Sequence, residues 1–149
     1  MKSTCIVAAM ATLAVAGSGF GALAHAKSVR SGTAQPLAAA AASEHLWHLR
    51  AGLNVAALSC RGGDRDAVAP AYSRLLSRHK GLLASAYAVE QRKRGAGMDR
   101  HLTQLYNRFA MQRSPGEFCA RAADVAKEAA QMDSPSLARS APTLLARID

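Results

Sequence analysis

Histidines and cysteines are the side chains of this sequence whose types and spacing offer recognisable chemistry. His45 and His48 stand three residues apart in a segment with a helical pattern, so their imidazoles would lie on neighbouring turns and could share a metal ion. A third ligand would come from His79, from His101 or from a carboxylate on another helix. The candidate metal ligands are therefore His45, His48 and His79. The alternative is that the first two are solvated histidines beside Trp47.

The cysteines are best interpreted together with the N-terminal segment, which has the pattern of an export signal. Lys2 precedes an apolar run of roughly 11 residues, too short to cross a bilayer, and Ala24-His25-Ala26 places small residues where signal peptidase reads them. We therefore predict a signal peptide over residues 1–26, cleaved after Ala26. The protein is expected to be periplasmic or secreted, without a transmembrane segment once the signal is removed.

Cleavage would remove Cys5 and leave Cys60 and Cys119. In an oxidising compartment, an even pair of cysteines in a small domain most simply forms a disulfide. Metal ligation or a nucleophilic cysteine is the alternative. The bridge would close a loop of roughly 60 residues, which corresponds to about 4 kcal/mol of stabilisation in the chain-entropy model.

The composition favours helices as the elements that position these residues. The chain has 149 residues, of which 34 are alanines, and aromatic residues make up only 5%. Strands of a β-sandwich or barrel require more β-branched and aromatic residues than this chain contains. We predict an all-α fold.

The pattern along the chain predicts a flexible lead-in over 27–42 and a helical domain over 43–149. Ser43 is a predicted N-cap, Asp99 can cap a later helix, and Ser114-Pro115-Gly116-Glu117 has the pattern of a capping box. The predicted helices cover about 43–60, 70–93, 99–113 and 115–132, followed by a short tail helix over about 136–147.

Four amphipathic helices joined by short loops predict an up-down four-helix bundle with a short C-terminal helix and one disulfide. Cys60 would end the first helix and Cys119 would begin the fourth, which places both at the same end of an antiparallel bundle. The predicted core residues are Leu49, Leu53, Leu76, Leu83, Leu105, Phe109, Phe118 and Val125.

Charge is uneven along this basic chain, which has 19 Lys and Arg against 10 Asp and Glu. Arg92, Lys93, Arg94 and Arg100 are candidates for an anionic surface, because exported proteins meet acidic lipids and polysaccharides. The alternative is that these side chains only solubilise an alanine-rich bundle. We predict no nucleic-acid partner, since basic residues are not interleaved with exposed aromatic residues.

The segment Leu46 to Cys60, with the sequence LWHLRAGLNVAALSC, resembles the opening of a group of small exported proteobacterial proteins of uncharacterised function. Leu105-Tyr106-Asn107-Arg108-Phe109 and Phe118-Cys119 are similar to that group as well. The resemblance covers roughly residues 43–132 and implies no activity.

The residues favour a non-catalytic binding or envelope-associated protein without a cofactor, whose partner the sequence does not identify. No zinc-protease, phosphate-loop, dinucleotide or covalent-haem motif is present. A metal- or haem-binding bundle is the alternative, and an enzyme without a recognisable motif is a third. Arg50 and Asn54, one turn apart, predict a structural hydrogen-bond network, with the lining of a groove as the alternative.

Overall fold

The computed structural model describes residues 34–62 and 66–149, and the regular elements in these ranges are all helical. The prediction of an all-α fold is confirmed. The predicted signal peptide, residues 1–26, and the first part of the predicted lead-in lie outside the described residues. The helices are α1 (Ala34–Ser59), α2 (Val68–Arg78), α3 (Lys80–Arg94), α4 (Met98–Ala110), α5 (Pro115–Gln131) and α6 (Ser134–Ala146).

Helix α1 forms the centre of the fold and contacts each of the other five helices. Its most extensive contact is with α6, and α2 packs mainly against α5. The C-terminal segment supplies Leu137, Leu144 and Ile148 to the core, each at most 1% exposed. A four-helix bundle with a peripheral tail is therefore not confirmed, because the tail helix packs against the central helix.

The predicted core is largely the observed one. Leu76 is half-buried and packs against the core from its edge. The other predicted residues are buried: Leu49, Leu53, Leu83, Leu105, Phe109, Phe118 and Val125. The apolar spacing of 3.6 residues thus identified the inward face of α1, α4 and α5.

Gly52 of α1 lies where α4 and the C-terminal segment approach most closely. A Cβ atom built there would be 2.8 Å from Ile148 Cδ1 and 2.9 Å from Phe109 Cε1, closer than side-chain carbons pack. The absence of a side chain at Gly52 therefore lets both apolar side chains rest on the backbone of α1.

Two of the predicted helices in the N-terminal part of the domain are wrong, one in its start and one in its continuity. Helix α1 begins at Ala34, within the predicted lead-in, and includes the alanine run 38–42, whose helix propensity is high. Ser43 is therefore inside the helix, and its hydroxyl donates to the carbonyl oxygen of Ala39 at 2.9 Å. The predicted helix over 70–93 is two helices, because His79 has a non-helical conformation between α2 and α3.

The predicted starts of the later helices agree more closely with the structure. Helix α4 begins at Met98, with Asp99 in its first turn but without a side-chain capping bond. Ser114 occupies the N-cap of α5, although its hydroxyl makes no capping bond there. Helix α6 begins at Ser134, two residues before the predicted start, because the Asp133 carboxylate accepts the Ser136 N–H at 2.7 Å.

The predicted disulfide is present. Cys60 directly follows α1 and Cys119 lies near the start of α5, with Cα atoms 5.5 Å apart. The rings of Phe109 and Phe118 stack beside this region with centroids 6.4 Å apart. None of the helices in the described ranges is long and apolar enough to cross a membrane.

Candidate metal centre

Side chains from three helices converge near the middle of α1. We call His48 of α1, Glu90 of α3 and His101 of α4 the histidine cluster. One ligand atom from each residue lies within 4.8 Å of the other two. The His48 Nε2 and His101 Nε2 atoms are 3.3 Å apart, and His101 Nε2 is 3.4 Å from Glu90 Oε2. Two imidazole nitrogens and one carboxylate oxygen thus face a common point.

The turn between α3 and α4 brings two of these ligands together. The two helices are joined by the short 3-10 turn Gly95–Gly97, which begins with Gly95 at a φ of 52°. A positive φ of this kind is readily adopted by glycine, so the chain can reverse within three residues. Glu90 and His101 lie at nearly equal distances along the chain from this turn, which places them opposite each other.

Glu90 is the most deeply buried member of the cluster, with no solvent exposure. Its Oε2 atom accepts from Arg94 Nε at 3.3 Å and lies near His101. Its Oε1 atom is buried and has no hydrogen-bond partner among the described residues. An unsatisfied buried carboxylate oxygen is costly, so this atom marks a place where a further ligand would be favourable.

Glu44 forms a second carboxylate site one helical turn before His48. Its Oε2 accepts from Lys93 Nζ at 2.6 Å and its Oε1 accepts from Arg94 at 2.9 Å. The hydrogen bond from Lys93 holds the pKa of Glu44 below its usual value. Arg94 therefore bridges two carboxylates, and its contact with Glu44 is the shorter one.

Burial favours the neutral form of both imidazoles of the cluster. Burial lowers the pKa of His48, and the carboxylate of Glu44 opposes that shift in part. Burial also lowers the pKa of His101, with Arg94 acting in the same direction and Glu90 in the opposite one. Neutral imidazole is the form that binds metal ions.

The other two candidate histidines lie elsewhere. His45 Nδ1 donates to the carbonyl oxygen of Ala41 at 2.7 Å, on the same helix, and the residue is not part of the cluster. His79 is 1% exposed, and its Nδ1 is 2.9 Å from the hydroxyl oxygen of Ser134. Burial lowers the pKa of His79 as well. Of the three predicted ligands, the structure brings only His48 into a metal-binding arrangement.

The four basic candidates divide into two pairs. Lys93 and Arg94 make ion pairs with Glu44, and Arg94 is half-buried. Arg92 and Arg100 are exposed and have no carboxylate within ion-pair distance in the described part of the chain. Glu44 of α1 thus neutralises part of the charge of these four candidates.

The hydrogen bond predicted for Arg50 is present, with Tyr106 of α4 as the partner at 2.6 Å. Asn54 makes no part of that hydrogen bond and lines a cavity together with Tyr106, Leu58 and Asn107.

No protein-family model, curated protein or solved structure matches this chain.

Proposed function

We propose that this is a small exported, non-catalytic helical protein that binds a divalent transition-metal ion at the histidine cluster. Zn²⁺ is the ion that the donor set fits best, since two imidazoles and a carboxylate are common zinc ligands. The observation that carries the proposal is the spacing of the three donor atoms.

Two of the three separations agree with the edge of a coordination tetrahedron. Ligand atoms placed about 2.1 Å from a zinc ion at tetrahedral angles are about 3.4 Å from one another. The two distances from His101 Nε2, to His48 Nε2 and to Glu90 Oε2, are 3.3 Å and 3.4 Å. These two separations need little change to receive the ion, and the third, between His48 and Glu90, is within 4.8 Å.

The ion pairs around the cluster allow Glu90 to change partners. Arg94 Nε is 3.3 Å from Glu90 Oε2, which is long for a charge-assisted hydrogen bond, whereas Arg94 is 2.9 Å from Glu44 Oε1. A metal ion that took the Glu90 carboxylate would therefore leave Arg94 with a carboxylate partner. The free Oε1 atom of Glu90 offers a second oxygen for the same ion.

Export is part of the proposal and is supported by the disulfide. Disulfides persist mainly in oxidising compartments, and the bonded pair Cys60 and Cys119 is what remains after removal of the predicted signal peptide. We assign the protein to the periplasm or the extracellular space on this basis.

The test is a zinc titration of metal-free protein by calorimetry, followed by cobalt substitution and visible spectroscopy. We expect one ion per chain and cobalt absorption bands of a tetrahedral site. His101→Gln should weaken zinc binding by at least about 100-fold, beyond the usual cost of losing an outer-shell partner.

His45→Gln is the matched control, because His45 lies one turn from His48 on α1 but outside the cluster. It should bind zinc as the wild type does. Equal binding by the His101→Gln and His45→Gln variants, or no stoichiometric zinc binding by the wild type, would overturn the proposal. Circular dichroism of the His101→Gln variant verifies that a loss of binding is not a loss of fold.

A further inference from the structure

A second concave site lies between α1 and the α2–α3 pair. It has a volume of about 340 Å³, and its lining includes Trp47, Arg50, Leu76, Lys80, Leu83 and Tyr87. We call it the Arg50 groove. Its volume is at the lower end of the range for small-molecule sites, so it suits a small ligand. No residue of the histidine cluster lines it.

Arg50 carries a positive charge that no carboxylate of the described residues neutralises. The side chain is half-buried, and no carboxylate lies within ion-pair distance of it in the described ranges. The cations that do have such a partner are Lys93, Arg94, Arg108, Arg121 and Arg147. A guanidinium removed in part from water is stabilised by an anion, and here that anion must come from outside the described chain.

The Arg50 side chain is also held in a fixed position. Its Cζ atom lies 4.9 Å from the centroid of the Trp47 ring, and one N–H donates to the Tyr106 hydroxyl at 2.6 Å. A guanidinium has five N–H donors, and this hydrogen bond occupies one of them. The remaining donors can bind a carboxylate without a large loss of side-chain entropy, because the group is already ordered.

Lys80 adds a second cation to the groove. It is exposed and also lacks a carboxylate within ion-pair distance among the described residues. The remaining wall is apolar, with Trp47 and Tyr87 in contact at a centroid distance of 4.9 Å and Leu76 beside them. Two cations next to aromatic and aliphatic side chains fit a molecule that has one anionic end and one apolar end.

We propose that the Arg50 groove binds a small organic carboxylate with a planar apolar body. The carboxylate pairs with Arg50 and Lys80, and the apolar body lies against Tyr87 and Leu76. This site is independent of the metal-binding proposal, since the two sites share no side chain.

The experiment uses phenylacetate as the probe and phenylacetamide as its neutral analogue. Trp47 is the single tryptophan of the chain, so its fluorescence reports directly on the groove, and calorimetry gives the stoichiometry. We expect one phenylacetate per chain, bound about tenfold or more tightly than the amide, as the loss of a charge-assisted hydrogen bond implies.

Three variants locate the binding. Arg50→Gln should weaken phenylacetate binding by about tenfold, and Lys80→Gln, at an exposed position that leaves the fold intact, should weaken it by a smaller factor. Arg74→Gln is the control, since Arg74 is an exposed arginine of α2 that does not line the groove. Equal affinity for the acid and the amide, or no saturable binding below about 10 mM, would overturn the proposal. So would unchanged binding by both groove variants.

Discussion

The two halves of α1 contact very different surroundings. The part from Gly52 to Ser59, which we call the apolar half, packs against Phe109 and Ile148 at Gly52, and Cys60 directly after it is joined to α5 by the disulfide. The part before Gly52, which we call the polar half, meets Glu90, His101 and Arg94 through Glu44 and His48. The residues His48 and Cys60 are separated by only about 18 Å of helix.

This difference separates the part of α1 that contributes stability from the part that holds the proposed metal site. Burial of apolar surface favours the folded state, whereas burial of a carboxylate and two imidazoles costs free energy unless all their polar atoms are paired. Glu90 Oε1 is unpaired, so the cost is not fully offset within the described chain. Polar groups that reduce stability in a small domain are typical of functional sites.

The largest effect on the free energy of unfolding is expected from a substitution in the core beside the apolar half. Phe109 is 1% exposed and touches the backbone region of Gly52, so Phe109→Ala should lower the free energy of unfolding by about 3–5 kcal/mol. Urea denaturation measures this loss. Met111→Ala is the control, because Met111 is 80% exposed and its truncation should change the free energy of unfolding by less than about 0.5 kcal/mol. A loss below about 1 kcal/mol for Phe109→Ala would mean that this half does not provide the main core.

A smaller loss in the free energy of unfolding is expected when a side chain at Gly52 blocks the close approach of Phe109 and Ile148 to α1. Gly52→Ala improves the intrinsic helix propensity but places a methyl group against Phe109 and Ile148. The net effect should be a loss of about 1–3 kcal/mol, the usual cost of overpacking a core. Gly81→Ala is the matched control, since a Cβ atom at that helical position meets nothing within 4 Å and should be neutral or stabilising. Equal effects of the two substitutions would show that packing at Gly52 is loose.

The smallest effect on the free energy of unfolding is expected from acidification, which protonates histidines of the polar half. The pKa values of His48 and His101 are lowered by burial, so the unfolded chain binds protons at these residues more readily than the folded protein does. Stability is therefore fully present above the ordinary histidine pKa of about 6.5 and falls as the pH drops below that value. The lowered pKa of His79 also makes stability fall with pH in this range. The lowered pKa of Glu44 makes stability fall further at lower pH, where carboxylates are protonated.

Urea denaturation of metal-free protein at several pH values between 7.5 and 5 measures this dependence. The double variant His48→Gln/His101→Gln should lose less stability over this range than the wild type. His45→Gln should keep the wild-type dependence, because His45 is not a member of the cluster. A double variant with the full wild-type dependence would place the acid sensitivity outside the histidine cluster.

The sequence predicted the apolar half better than the polar half. The positions of Leu105 and Phe109 follow from helical periodicity, and the disulfide follows from two cysteines at matching helix ends. These inferences use regularities that hold within a helix or between helix ends. His48 was a predicted ligand for the same reason, since its place on α1 is a local property.

Glu90 could not be assigned to a site because its role depends on how two helices pack. It lies 42 positions after His48, and nothing in the residues around it specifies which face of α3 meets α1. One signal was available: Glu90 and His101 are nearly symmetric about the turn Gly95–Gly97, so a reversal there places them opposite each other. The break at His79 has no comparable signal in the sequence.

The disulfide also determines what happens when the chain is cut. Bonding of Cys60 to Cys119 closes a covalent ring that contains α2, α3 and α4, together with the exposed residue Arg113 between α4 and α5. A protease that cleaves after Arg113 opens the ring but releases no fragment, because α5 and α6 stay attached through the bridge. His48, Glu90 and His101 all remain on the N-terminal piece. In a compartment that contains proteases, a single nick thus leaves one covalently connected molecule.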